Sequence, residues 1–345
     1  MRKSEESRQH IIRLLSQLIG ERIMAMLLHN EVNDVSCNPD GQVFIKIKSR
    51  REKLDIVVPW EVSAQICSYV ADLMGRTADD SSAIVEATLP FLNARFVGGM
   101  PPHTKDNEAF WHIRSHARES FTLQSYLETG RCDAHCMKAI DMAMEMRMNI
   151  AVVGVTGSGK TGFLDALGSH PAMIDKRVWV IEEIPEIKLD AVANKVKVTV
   201  DPRQIWYGRN DRARYRLVSE EMNKLVRAAL LGDPDCIIMG EVRGGEFLEM
   251  VKSMYAGHGA SLFTMHANHP ADALHRAEMM LGEAVADSRA FRTMLTTAID
   301  RIVLMRSDHE HGSGNVIGVY QPIGYNEVRR EYVVSTLAGK SHIDS

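Results

Sequence analysis

An apolar run feeding a glycine-rich turn constrains this chain most: Asn149-Ile150-Ala151-Val152-Val153 leads into Gly154-Val155-Thr156-Gly157-Ser158-Gly159-Lys160-Thr161. Every position of the pattern G-x-x-x-x-G-K-[ST] is filled. Glycines at 154, 157 and 159 let the backbone curl so that successive N–H groups point at a phosphate chain. Thr156, Ser158 and Gly162 complete the loop around them. Lys160 carries its ammonium to the outer phosphates, and the Thr161 hydroxyl can ligate Mg²⁺. The residues from Gly162 to Leu167 read as a helix whose positive end adds to the anion site. Strand, turn and helix in that order imply a domain that binds a nucleoside triphosphate such as ATP.

At 345 residues there is room for about two domains. The net charge of −4 excludes a wholly basic nucleic-acid binder, so no direct nucleic-acid partner is expected. The polar start, Met1-Arg2-Lys3-Ser4-Glu5-Glu6, lacks the apolar core of a signal peptide, and no run has the length of a membrane span. Five cysteines without a C-x-x-C pair suit a reducing compartment. The expectation is a cytoplasmic protein whose membrane contact, where it occurs, is peripheral.

Upstream of the turn, Ile11, Leu14, Leu15, Leu18, Ile19, Ile23 and Met26 fall at helical spacing over 11–29. Asn38-Pro39-Asp40-Gly41 joins a strand near Val35 to one over Val43–Ile47. A helix is expected over 61–75, and strands near 84–88 and 94–98. This reads as an α+β domain over 1–103. The polar stretch 104–130 is expected to link it to a second domain over 131–345. A helix over 133–148 carries Met137, Met142, Met144, Met146 and Met148 mainly as core filling. From Arg177 onward strands and helices alternate, implying an α/β fold with a mostly parallel sheet covered by helices. The expected strands are Arg177–Ile181, Lys195–Val200, Cys236–Met239 and Ser261–Met265. The expected helices are 219–231, 245–255 and 271–281. Residues 201–216 read as an arginine-bearing loop with Arg203, Arg209, Arg212, Arg214 and Arg216. The chain returns to strands near 301–305, 316–320 and 330–334, then ends in a tail from Gly339.

Phosphoryl transfer to water needs a phosphate cradle, a metal, a carboxylate that orients water, and cations for transition-state charge. Two carboxylate positions directly follow apolar runs: Glu182-Glu183 after Trp179-Val180-Ile181, and Glu241 after Ile237-Ile238-Met239-Gly240. His258 and His266 flank the strand Ser261–Met265, and Asn268 follows. Cys132, His135 and Cys136 lie close together but lack a second ligand pair, so a zinc site is not expected there. His309 and His311 read as loop residues.

The ordered motifs then become recognisable. Gly240-Glu241-Val242-Arg243-Gly244-Gly245-Glu246 is followed by Gly257-His258-Gly259 and Ser261-Leu262-Phe263-Thr264-Met265-His266-Ala267-Asn268. With the P-loop and the acidic pair at 182–183, this order resembles the hexameric ATPases of the type II/type IV secretion superfamily. Upstream, Asn38–Gly41, Ala94-Arg95-Phe96, Pro101-Pro102, Ile113-Arg114 and Phe121-Thr122-Leu123 resemble the N-terminal part of conjugal-transfer ATPases. The resemblance covers roughly 30–305 and implies a RecA-like P-loop domain behind a smaller α+β domain, assembled as a homohexamer. It implies that Lys160 and Thr161 hold phosphates and Mg²⁺, that Glu182 activates water, and that Glu241 acts at the metal. It further implies that His266 senses the terminal phosphate, and that Arg95 and Arg114 reach the nucleotide from the N-terminal domain. The implied function is ATP hydrolysis that drives conjugative DNA transfer or pilus biogenesis with inner-membrane apparatus proteins. A pilus motor, or a nucleotide-gated scaffold with negligible turnover, are the alternatives. Two departures stand out: Glu182-Glu183 replaces the usual Glu-Asp, and Leu231-Gly232-Asp233-Pro234-Asp235 lacks the two arginines that commonly precede Pro-Asp. The arginines of 201–216 are candidates to compensate.

Overall fold

The computed structural model describes residues 5–29, 31–47, 50–75, 83–89, 91–92, 94–115, 121–200, 211–281, 288–308 and 313–339. The chain divides into two compact units, Met1–Glu119 and Ser120–Ser345.

The first unit begins with helices α1 (Glu5–Ile19) and α2 (Glu21–Leu27). The single helix expected over 11–29 is broken at Gly20, whose φ of 84° no other residue type adopts without strain. There follow β1 (Val32–Cys37), β2 (Gln42–Ile47), β3 (Arg50–Val57), α3 (Trp60–Leu73), β4 (Ile84–Leu89), β5 (Ala94–Gly99) and β6 (Phe110–Ser115). The strands form one six-stranded sheet in the order β3-β2-β1-β6-β5-β4. Every pairing in it is antiparallel. The Asn38–Gly41 turn closes the β1–β2 hairpin with Val35 opposite Ile45, as its residues imply. One sheet face packs Val35, Phe96, Trp111 and Ile113 with Leu15, Ile66 and Val70 of the helices. The stretch 104–130 is not one linker. Its residues 110–115 alternate apolar and polar side chains and supply β6, a central strand, whereas 123–128 belong to the second unit. The charged β3 gives no apolar alternation and is invisible in the sequence.

The second unit holds α4 (Leu123–Glu128), α5 (Ala134–Glu145), β7 (Ile150–Gly154), α6 (Lys160–Gly168), α7 (Pro171–Ile174), β8 (Val178–Glu182) and β9 (Lys195–Thr199). It continues with α8 (Asp211–Leu231), β10 (Cys236–Met239), α9 (Phe247–Tyr255), β11 (Leu262–His266), α10 (Pro270–Leu281), α11 (Ser288–Ala298), β12 (Arg301–Asp308), β13 (Ser313–Asn326) and β14 (Glu331–Gly339). These strands make one eight-stranded sheet, β14-β13-β12-β7-β11-β10-β8-β9. The six strands from β12 to β9 run parallel, and β13 and β14 return antiparallel at one edge. Both faces are covered. Ile150 and Val152 enter one core with α5 and α6, while Ala151 and Val153 enter a second core with α8, α9, α10 and α11. Two-sided burial is why β7 and β10 read as unbroken apolar runs.

Helix α8 starts at Asp211, so the expected 201–216 loop is shorter than its arginines suggest, and 201–210 lie outside the described residues. Gly232, in the segment that lacks the usual arginines, lies against the Trp179 ring, where any side chain would collide. Arg177 Nε donates to the Gly232 carbonyl at 2.8 Å and fixes that turn. Of the methionines expected in this helix, Met137 and Met144 are buried, whereas Met142 and, just past the end of α5, Met146 are exposed. His309, His311 and the segment 340–345 lie outside the described residues. No helix among the described residues is long and apolar enough to cross a membrane.

Candidate functional site

In an open parallel sheet, ligands bind at the carboxyl ends of the strands. Here β7, β11, β10 and β8 are consecutive neighbours, and their carboxyl ends carry the glycine-rich turn, His266, Glu241 and Glu182. His266 pairs in register with Gly154, and Met239 pairs with both Phe263 and Ile181. The fold therefore gathers four motifs that are far apart in the chain.

Within the turn, Gly157 and Gly159 hold φ of 77° and 80°, and Gly159 caps α6. The position of a Gly157 Cβ has nothing within 4 Å, so the crown of the loop is open. Gly154 is confined, since a Cβ there would lie 2.5 Å from the Met305 carbonyl and against Ser158 Oγ. On the outer side Gly314 of β13 abuts the loop, where a Cβ would run into the Ser158 carbonyl. Ser158 Oγ is buried with no hydrogen-bond partner among the described residues.

The Lys160 side chain is 7 % exposed. Its Nζ donates to the carbonyls of Gly154 at 3.0 Å and Val155 at 2.9 Å. It also lies 3.2 Å from His266 Nδ1. Burial brings the ammonium down to about 8, against the pull of nearby Glu241. The other His266 nitrogen, Nε2, lies 2.7 Å from Glu241 Oε1. Glu241 Oε2 in turn accepts from Arg243 Nη2 at 2.5 Å, and Arg243 Nη1 donates to Glu183 Oε2 at 2.8 Å. Lys160, His266, Glu241, Arg243 and Glu183 thus form one chain of polar contacts across the strand ends. Burial would raise the Glu241 carboxyl, but the His266 and Arg243 contacts outweigh it and bring it down to about 2.

Glu182 is the opposite kind of carboxylate. It is 2 % exposed, and its Oε1 accepts from the backbone N–H groups of Glu186 and Ile187, each at 2.9 Å. Its Oε2 is buried with no hydrogen-bond partner among the described residues. Burial pushes the carboxyl up to about 7, with the two backbone donors opposing. The loop after it is clipped to α6: Asp165 Oδ1 accepts from Lys188 and Leu189 N–H, both at 2.9 Å.

Sequence reading did not single out Glu246 or the role of Arg243. Glu246, 3 % exposed, accepts from the N–H groups of Arg243 and Gly244 through Oε1 and from Ser219 Oγ through Oε2. It holds the Arg243 backbone in place. A glutamate between two glycines and an apolar helix was the available signal. Of the other expected site residues, Thr161 and Gly162 occupy the first turn of α6, and Thr156 lies in the loop. Arg95 and Arg114 lie in the first unit as paired positions on β5 and β6. Arg114 Nε donates to Asp34 Oδ1 at 3.1 Å, and His112 Nε2 meets the same oxygen at 2.9 Å. Arg95 Nη2 is 3.9 Å from Glu86 Oε2.

A glycine-rich phosphate loop between a central parallel strand and a helix, with acidic residues at neighbouring strand ends, defines the second unit as a RecA-like P-loop domain. The family model for type II/IV secretion system proteins matches residues 17–331, and this chain belongs to that family. It is similar to the conjugal transfer protein TrbB of Rhizobium radiobacter, 28 % identical over 302 residues that cover 86 % of each protein. Among solved structures it resembles the ATPase DotB of Legionella pneumophila, with a TM-score of 0.61 and 12 % identity, covering 96 % of this chain and 84 % of that one. It also resembles the pilus retraction motor PilT with bound ADP, at a TM-score of 0.56 and 16 % identity, over 91 % of this chain and 81 % of that one. The two structural likenesses concern the fold.

Proposed function

We propose that this chain is a Mg²⁺-dependent ATPase that drives conjugative transfer or type IV secretion from the cytoplasmic side of the inner membrane, working as a homohexamer. The observation that carries the catalytic part is the pair of carboxylates held in opposite states at adjoining strand ends. Glu241 is kept ionised by His266 and Arg243, and Glu182 is held near neutrality by burial. A water-activating base works best when its pKa lies near the operating pH, which is where Glu182 sits. A metal partner must stay charged, which is the state of Glu241.

The residues present suit the nucleotide and the metal. The loop is open at Gly157, Lys160 is held at its floor, and Ser158 Oγ and Glu182 Oε2 are polar atoms awaiting partners. Mg²⁺, held by Thr161 and Glu241, would supply charge neutralisation at the phosphates. The backbone N–H groups from Gly157 to Thr161 grip the phosphates of ATP, and Lys160 turns from the loop carbonyls towards the terminal one. Glu182 accepts a proton from the attacking water through its unpartnered oxygen. His266, released by Lys160, donates to the terminal phosphate and so reports its presence. The secretion role rests on the family and on the near full-length likeness to a conjugal transfer protein, whereas the likeness to the pilus motor is one of fold.

The test is steady-state ATP turnover of the purified protein beside Lys160→Ala, Glu182→Gln and Glu241→Gln, with oligomer mass recorded and each variant assayed for plasmid mating in a host lacking the chain. The expected result is turnover that needs all three residues, rises with ring formation and tracks mating. ATP binding with turnover indifferent to Glu182 would replace this reading with that of a nucleotide-gated scaffold.

A further inference from the structure

Just past the ends of β8 and β10, one arginine stands between two acids. The Arg243 guanidinium donates through Nη2 to Glu241 Oε2 and through Nη1 to Glu183 Oε2. Its root and its head are held differently. At the root, the Arg243 and Gly244 N–H groups both donate to Glu246 Oε1, whose carboxylate also accepts from Ser219 Oγ of α8. The backbone before it is tied to β11, since Val242 N–H donates to the Thr264 carbonyl and Thr264 Oγ1 donates to the Gly240 carbonyl. The head is open by comparison, with the Arg243 side chain 40 % exposed. Arg243 is thus an arm on a fixed pivot.

Both oxygens of Glu241 are engaged. His266 Nε2 lies 2.7 Å from Oε1, and Arg243 takes Oε2. A cation drawn to this carboxylate must displace one of the two. An arginine keeps its proton throughout the physiological range, so it yields only by moving. Arg243 can give up Glu241 and still hold Glu183, whereas the other nitrogen of His266 is already engaged 3.2 Å from Lys160 Nζ. With no cation between them, Glu183 and Glu241 would repel each other across the rim.

We propose that Arg243 is the stand-in for the metal at Glu241: it neutralises this carboxylate before Mg²⁺ loads and retreats onto Glu183 when Mg²⁺ arrives with the nucleotide. Glu246 and Ser219 are positioning residues that hold the pivot of the arm. This rests on the reading of Glu241 as the carboxylate that meets the metal, and adds what tunes the coupling between metal and nucleotide. Because the arm competes for Glu241, Mg²⁺ strengthens ATP binding by less than an empty carboxylate would allow.

The experiment is equilibrium binding of ATP to the full chain in excess Mg²⁺ and in a chelator, with the ratio of the two affinities as the readout. The native protein is compared with Arg243→Gln, Arg243→Lys, Glu183→Gln and Glu241→Gln, and melting temperature is recorded for each. Arg243→Gln removes the competing charge and is expected to raise the ratio by about 10-fold, the size of one hydrogen bond to a charged group. Arg243→Lys keeps a cation on the arm and is expected to stay near the native ratio. Glu183→Gln takes away the place of retreat, so its ratio is expected to fall below the native one. Equal weakening of ATP with and without Mg²⁺ by Arg243→Gln, or an unchanged ratio, overturns the stand-in and leaves the metal reading intact. Should Arg243→Gln melt too low to assay, an unchanged or raised ratio in Glu183→Gln overturns it alone. A ratio indifferent to Glu241→Gln overturns the metal reading itself, and the stand-in with it.

Discussion

The two sheets of this chain spend their residues differently. In the first unit every strand is antiparallel and β4 alternates half-buried and buried positions, so one face packs on helices and the other carries polar side chains such as Glu86 and Thr88. Functional candidates there, Arg95 and Arg114, sit mid-sheet beside Asp34 and His112. In the second unit both faces are buried, β7 and β10 are apolar throughout, and polar chemistry is forced to the carboxyl ends. One sheet offers a surface and the other offers only a rim. At that rim Glu241 meets His266 and Arg243 and is driven down, while Glu182 on the neighbouring strand is buried and driven up.

That contrast can be broken or sharpened by substitution. The largest effect expected is from Lys160→Ala, which removes the ammonium held at the floor of the loop. Calorimetry should show nucleotide affinity falling by about 100-fold or more, as for loss of a charge-assisted phosphate contact. Unchanged affinity would mean that the rim is not where the chemistry sits. Next is Glu182→Gln, expected to lower turnover by roughly 100-fold while nucleotide still binds. In the native protein turnover should rise with pH through about 7 as this carboxyl ionises. Folding stability should run the other way. The folded carboxyl is raised from 4.5 to about 7, so its contribution is complete below 4.5 and is lost as pH rises through 7. Thermal melts of the native chain and of the Glu182→Gln variant across that window should differ in slope, and parallel curves would refute the assignment.

A smaller effect is expected from Gly314→Ala, whose methyl group collides with the Ser158 carbonyl. Overpacking of this sort costs about 1–3 kcal/mol of stability, which should lower the melting temperature by several degrees and, because the clash is with the loop, weaken nucleotide binding roughly 10-fold. Equal loss of stability without loss of affinity would show that β13 supports the fold and not the loop. The smallest is Asp34→Asn in the first unit. Burial opposes ionisation of Asp34, but the His112 hydrogen bond and the Arg114 charge hold its carboxyl below 3.8. Its stabilisation is therefore present above 3.8 and lost as pH falls through the lower folded value. Because Arg114 and His112 remain open to solvent, the substitution should cost only about 1 kcal/mol in chemical denaturation and flatten the acid limb of the stability curve.

What could be read in advance followed from local pattern. The phosphate loop, the apolar strands β7, β8, β10 and β11 and the alternation that implies a parallel sheet are written in consecutive residues. The break at Gly20 was not legible, because helical spacing continues through it and only a backbone angle marks it. Strand β6 was hidden in a polar stretch because one of its two faces carries His112 and Arg114. Charge pairing was least accessible. Asp34 meets Arg114, Glu183 meets Arg243 and Ser219 meets Glu246 across separations no motif encodes. The positions of Glu182 and Glu241 were readable from the apolar runs before them, yet their opposite protonation behaviour depends on partners that only folding supplies.

The clip between α6 and the 183–189 loop has a mechanical consequence. Asp165 grips the N–H groups of Lys188 and Leu189, and Gly168 is crowded by the Leu189 side chain, which leaves no slack between them. The helix that starts at the phosphate grip and the segment that carries Glu182 are therefore riveted into a single plate. A stroke cannot arise from these two parts separating, and a substitution that shifts one drags the other with it. Whatever bends during a cycle must lie outside the plate.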